Sequence, residues 1–154
     1  MTEPANPAGE TAAPGSAGSA THEGGCLCGI VRFTVQGPPV RADWCHCREC
    51  QRSSGSAAIP WGAWPAESFR ITEGEHHLSC FSSTYRGQRH FCRECGATLH
   101  MTDPTEERGT VGVPLTALDD PTVASPTCHS WVSERVPWAQ GTDDLPVHEK
   151  DMPE

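Results

Sequence analysis

A chain of 154 residues with a formal charge of −9 is of single-domain size, and that charge repels phosphate backbones and anionic lipid, so nucleic-acid and membrane-surface roles are set aside. Hydrophobic residues make up 36% while glycine and proline number 15 and 14, which favours short strands and turns over long amphipathic helices. No apolar run reaches the roughly 18 residues of a membrane-spanning helix, and the first residues have neither a basic start nor an apolar stretch, so a soluble cytoplasmic protein is expected.

Residues 1–22 are almost entirely Ala, Pro, Gly, Ser, Thr and acid, with no side chain able to anchor a core, and read as a disordered tail. The folded domain is expected over residues 23–147. Its first strand is Ile30 to Val35, where Val31, Phe33 and Val35 share one face and Arg32 and Thr34 the other. Further short strands are expected at Val40 to Trp44, Ala57 to Trp64, Ser68 to Ile71, His77 to Phe81, Ala97 to Met101, Thr110 to Val113 and Cys128 to Val132, with turn residues between them. Gln51 to Ser56 and Leu115 to Leu118 suit single helical turns. Residues 148–154 read as a loose acidic end.

Seven of the nine cysteines fall in three clusters: Cys26 and Cys28; Cys45, Cys47 and Cys50; Cys92 and Cys95. Close spacing and an odd total point to metal ligation rather than a disulfide framework. The two outer pairs together make a closed four-thiolate zinc site, which ties residue 26 to residue 95 and adds folding free energy to a chain of short strands. The middle cluster supplies three thiolates within six residues, so one position of a tetrahedral zinc is left for an outside ligand, as in catalytic sites. Closure of that site by His46, another histidine or Cys80 stays open at this point. Cys80 and Cys128, outside the clusters, suit packing in apolar surroundings.

GGCLCGIVRF, CHCRECQRSSGS, FCRECGATL and PTCHSWVSERVPW followed by DDLP occur in an order that resembles the glutathione-dependent formaldehyde-activating enzyme family, also described as the CENP-V/GFA domain family. The resemblance spans roughly Gly24 to Pro146. It implies an all-β fold of the Mss4-like type, a β-tent of short antiparallel strands held by cysteine-ligated zinc. By position it makes Cys26, Cys28, Cys92 and Cys95 the structural zinc site, and Cys45, Cys47 and Cys50 the second, catalytic one, giving two zinc ions per chain. Gln51, Ser53, Ser54 and Gly55 match a polar loop that could receive the backbone of a bound thiol. Arg52 is the preferred donor to balance thiolate charge, and His129 is a substrate-contact candidate, although Ser130 and Trp131 follow it where the family frequently has an aliphatic residue.

The activity so implied is that of a carbon–sulfur lyase, S-(hydroxymethyl)glutathione synthase-like, acting on adducts of a small glutathione-like thiol and a formaldehyde-like aldehyde, with the substrate thiolate held by zinc. Function transfers less securely than fold. The rival reading is a non-catalytic zinc-stabilised module that binds a thiol or a protein, and a third is thiol redox chemistry at Cys80 or Cys128. The sequence leaves the oligomeric state open.

Overall fold

The computed structural model describes residues 20–82, 87–105 and 109–152. Within them run strands β1 (Thr21–Gly25), β2 (Arg32–Gln36), β3 (Arg41–Cys45), β4 (Ile59–Pro65), β5 (Phe69–Glu73), β6 (Leu78–Ser82), β7 (Gln88–Cys92), β8 (Thr98–Thr102), β9 (Thr110–Pro114) and β10 (His129–Ser130), with one α-helix, α1 (Arg48–Ser54). The all-β expectation holds. One sheet has the order β1-β2-β5 and the other β10-β3-β4-β9-β8-β7-β6. All pairs are antiparallel except β10 with β3. No helix among the described residues is long and apolar enough to cross a membrane.

The core lies where the sheets meet. Val31, Phe33 and Val35, the face expected from alternation, are fully buried, and they pack with Trp64, Leu99, Val111, Val113 and Leu115. Strands β3 and β4 present their two faces to different clusters. Ala42 and Trp64 join this core, whereas Cys45, Ile59 and Trp61, an odd number of residues away, form a second cluster with Cys50, as the two-residue period of a strand requires. The same strands thus carry the core on one side and a cysteine cluster on the other.

Several elements depart from the sequence reading. β1 takes in Thr21 and His22, counted above with the tail, and pairs them with Gln36 and Val35; residues 1–19 lie outside the described residues. β2 begins two residues later than expected because Cys26 to Val31 is closed by bonds from Gly29 N to Cys26 O and from Cys26 N to Val31 O. β7 was not expected at all. The helix begins at Arg48 rather than Gln51, since the Cys47 sulfur accepts the Cys50 N–H and caps it, satisfying one of the free amides of a helix start.

The acidic end is also tied down as far as it is described, through Met152. His129 N donates to Pro146 O, His148 N to His129 O, and Trp131 N to Lys150 O. Trp131, with φ of 56°, is held in this left-handed conformation by these bonds and by its Nε1 donating to Asp151, which offsets the strain of a non-glycine residue there. Pro153 and Glu154 fall outside the described residues.

His100 on β8 is buried, stacked on His90 at 4.1 Å between ring centroids and against Phe69 at 4.7 Å. Burial first, then the neighbouring His90, pushes it down to about 3. Because this lies below the ordinary value of about 6.5, the group is neutral in both states above pH 6.5. Stability then falls as pH drops from 6.5 toward 3, since the unfolded chain takes up the proton first, by about 1.4 kcal/mol per pH unit. Urea unfolding at pH 7 and pH 5.5 is expected to show the native protein losing about 1 kcal/mol more than His100→Gln over that interval. Equal losses would remove this assignment.

Candidate functional site

The first cysteine site joins two turns of the same construction. Cys26 and Cys28 lie in the turn after β1, and Cys92 and Cys95 at the end of β7. In each turn the first cysteine's carbonyl accepts an N–H from a glycine, Gly29 or Gly96, and its own N–H donates to the residue five positions on, Val31 or Ala97. Both glycines have positive φ, 78° and 74°, where a side chain would be strained. The four sulfurs lie within 4.8 Å of one another, with 3.5 Å between Cys26 and Cys28 and 3.8 Å between Cys28 and Cys92. A tetrahedron of metal–sulfur bonds of about 2.3 Å has edges of about 3.8 Å, so this donor set fits zinc. Cys26 and Cys92 are part of the inter-sheet core, and the site therefore fastens one sheet to the other. The Ala97 N–H leads the contacts that hold the Cys95 thiol down to about 6, favouring the thiolate a metal needs.

The second site is built where β3 runs into α1. Cys45 ends the strand, Cys47 caps the helix and Cys50 lies in its first turn. Their sulfurs also lie within 4.8 Å of one another, and no other His, Cys, Asp or Glu among the described residues joins them. The Cys45 and Cys50 sulfurs are 3.6 Å apart, again the edge of a zinc–sulfur tetrahedron. The Trp61 Nε1–H donates to Cys50 Sγ at 3.4 Å, and an Arg89 Nη2–H at 3.6 Å. Hydrogen bonds from Cys45 and Cys47, then the Arg89 charge and the Trp61 N–H, hold the Cys50 thiol down to about 2 against burial, while bonding to Cys47 and Cys50 pushes Cys45 up. Cys50 thus faces two N–H donors, from Trp61 and Arg89, that favour its thiolate form.

Arg89 is the functional residue the sequence reading missed. It is buried, donates to Glu49 at 3.4 Å and to Ser53 Oγ at 3.5 Å, and its Nε has no partner. Arg52, the preferred charge-balancing residue, is exposed and lines a separate depression of about 200 Å³ with Arg48, Gly55 and Trp138.

The segment after β10 holds the cysteine loop in place. His129 Nδ1 lies 2.8 Å from His46 Nε2, its Nε2 lies 2.9 Å from Asp143, and Arg135 donates to His46 Nε2 at 3.1 Å. His46 is thereby engaged by His129 and Arg135 rather than by the three sulfurs. Burial first, then the Arg135 charge, pushes His46 down to about 4. Gln51 is buried, its amide donating to His46 O at 2.6 Å and Glu134 O at 3.0 Å, while Glu134 accepts the Arg48 N–H at 2.6 Å. Ser53 and Ser54 donate to Cys50 O, and Gly55 closes the helix at φ 70°. The residues of the expected polar loop are therefore brought together, but as helix α1 and its cap. Of the isolated cysteines, Cys128 is buried against Met152, whereas Cys80 is exposed, 3.8 Å from His90 Nε2, contrary to the expected packing role.

These placements separate the two sites mutationally. Cys92→Ser removes a buried core ligand that links the sheets and is expected to unfold the chain, since zinc binding at such a site is folding free energy. Cys47→Ser keeps a capping oxygen on α1 and is expected to leave a folded domain with half the zinc. Circular dichroism with metal analysis distinguishes them; equal loss of melting temperature would contradict the division.

Comparison with known proteins agrees with this architecture. The family model described as glutathione-dependent formaldehyde-activating enzyme matches residues 21–134, from the first residue of β1 past all seven clustered cysteines. A curated protein of Halomonas elongata whose name carries that description is 32% identical over 88 residues, covering 53% of this chain and 56% of that protein. The match thus spans little more than half the length of that relative. A crystal structure of a Rhodobacter sphaeroides protein shares the fold with a TM-score of 0.54 at 23% identity, covering 63% of this chain and 87% of that one. With the match extending over residues 21–134, the chain belongs to the glutathione-dependent formaldehyde-activating enzyme family.

Proposed function

We propose that Cys45, Cys47 and Cys50 hold zinc and that the protein is a zinc-dependent carbon–sulfur lyase-type enzyme, forming or cleaving the adduct of a small glutathione-like thiol and a formaldehyde-like aldehyde. The observation that carries this reading is a cluster of three sulfurs that no fourth His, Cys, Asp or Glu among the described residues joins, set beside a buried arginine. Three thiolates around a divalent ion leave a net charge of about −1, and zinc in such a set supplies a Lewis-acidic position at which a thiol is deprotonated at neutral pH.

The chain's own residues make this charge tolerable. Arg89 and Trp61 direct N–H groups at Cys50 Sγ, so the sulfurs are partly neutralised and a further thiolate meets less repulsion. Ile59, Trp61, Met101 and Trp131 pack around the cluster and keep water from its inner side, which strengthens those interactions. The pairing of His46 with His129 and the double tether of Gln51 hold the loop from Cys45 to Cys50 in register. A substrate thiolate held beside the cluster would attack the carbonyl carbon: the carbon–sulfur bond forms, the π pair moves to oxygen, and the oxygen takes up, through solvent, the proton the thiol gave up. The reverse step releases the aldehyde. No general base is needed if the thiol is already ionised.

Adding glutathione to the zinc-loaded protein is expected to shift zinc X-ray absorption toward full sulfur coordination at distances of about 2.3 Å, and S-methylglutathione is expected to leave the spectrum unchanged. A spectrum indifferent to glutathione would remove the physical support for this function.

A further inference from the structure

A cavity of about 360 Å³ opens beside the three-cysteine cluster, bounded by Ser53, Phe81, Arg89, His90, Phe91 and Thr98. Two of these residues belong to both places. Arg89 reaches Cys50 Sγ at 3.6 Å, and Ser53, one helical turn from Cys50, donates to its carbonyl at 3.2 Å. Arg89 and Ser53 therefore link one end of the cavity to Cys50, and the remainder is bordered by Phe81, His90, Phe91, Gly96 and Thr98. Phe81 is 61% exposed on β6, the edge strand of the larger sheet.

The size and lining of this cavity suit neither a one-carbon aldehyde nor the body of the thiol. A formaldehyde unit is little larger than water, whose share of liquid volume is about 30 Å³, and would leave most of the space unfilled. A thiol's peptide-like body would set amides against Phe81 and Phe91, where they lose water without gaining partners. Arg89, by contrast, brings a buried cation to the cavity lining, and a cation there favours an oxygen carrying negative charge.

We propose that this cavity receives the carbonyl half of the substrate, with its oxygen toward Arg89 and Ser53 and an aryl or branched alkyl substituent between Phe81 and Phe91, so that the preferred aldehydes are larger than formaldehyde. The proposal rests on the carbon–sulfur reading above and specifies its substrate class. The balance of the step is unchanged: sulfur bonds the carbonyl carbon, the π pair moves to oxygen, and the oxygen takes one proton from solvent, with nothing oxidised or reduced.

Calorimetric binding of S-benzylglutathione and S-methylglutathione to the zinc-loaded full chain tests it without turnover. The benzyl compound is expected to bind at least about tenfold more tightly, the scale set by burying one ring. Thr98→Trp, which fills the cavity, and Phe91→Ala, which removes a wall, are each expected to reduce that advantage below about threefold. Equal affinities in the unmodified protein, or an advantage that persists in whichever of these variants folds, would overturn the proposal. If glutathione nonetheless coordinates zinc in the absorption experiment, only the aldehyde assignment fails; if it does not, both readings fail.

Discussion

Sulfurs gathered at 3.5 to 3.8 Å are too close to be uncompensated thiolates and lie at the spacing a tetrahedral cation imposes. The rest of the structure depends on this constraint. The first gathering of sulfurs draws on the turn after β1, in the smaller sheet, and on β7 with its following turn, in the larger one, so it crosses the core in the way a long covalent link would. Strands mostly of five residues give each sheet limited burial of its own, and a metal held at this site would supply folding free energy against the entropic cost of closing a loop of nearly seventy residues.

The second gathering uses the same fold differently. Because β3 and β4 alternate, the side chains that fill the core, Ala42 and Trp64, fix the orientation of those on the opposite face, Cys45, Ile59 and Trp61. Precision at the sulfurs is thus inherited from core packing. The segment from His129 to Arg135, anchored by Pro146, His148 and Lys150, then presses the cysteine loop from outside. Arg89 completes the arrangement as a buried cation whose neighbours are Cys50, Glu49 and Ser53, and its desolvation is offset by the Glu49 carboxylate, the Ser53 hydroxyl and the Cys50 sulfur.

Much of this was legible in the sequence for a simple reason: ligation demands particular atoms at short spacing, and seven clustered cysteines announce it. The alternation of Val31, Phe33 and Val35 was equally plain. β1 was not, because Glu23, Gly24 and Gly25 have poor strand propensity. Gly24 is there for space: a Cβ would lie 2.3 Å from Phe33 Cζ and 2.5 Å from the Ala117 carbonyl. Gln88, Arg89 and His90 hid β7 because long polar residues ordinarily face water. The available signal was the two-residue spacing of Arg89 and Phe91 just before a metal ligand. The docked C-terminal segment was unreadable for a different reason, since it is paired with His129, Trp131 and Val132 through backbone hydrogen bonds, which leave no residue signature.

The central claim is that one fold carries two metal sites with unequal duties. Native mass spectrometry of the full chain during titration with a zinc chelator, with circular dichroism on the same samples, addresses it directly. The account predicts two zinc ions, the first removed with the β-sheet spectrum intact and the second removed together with the fold. A single ion per chain, or two ions leaving together as the protein unfolds, would contradict it.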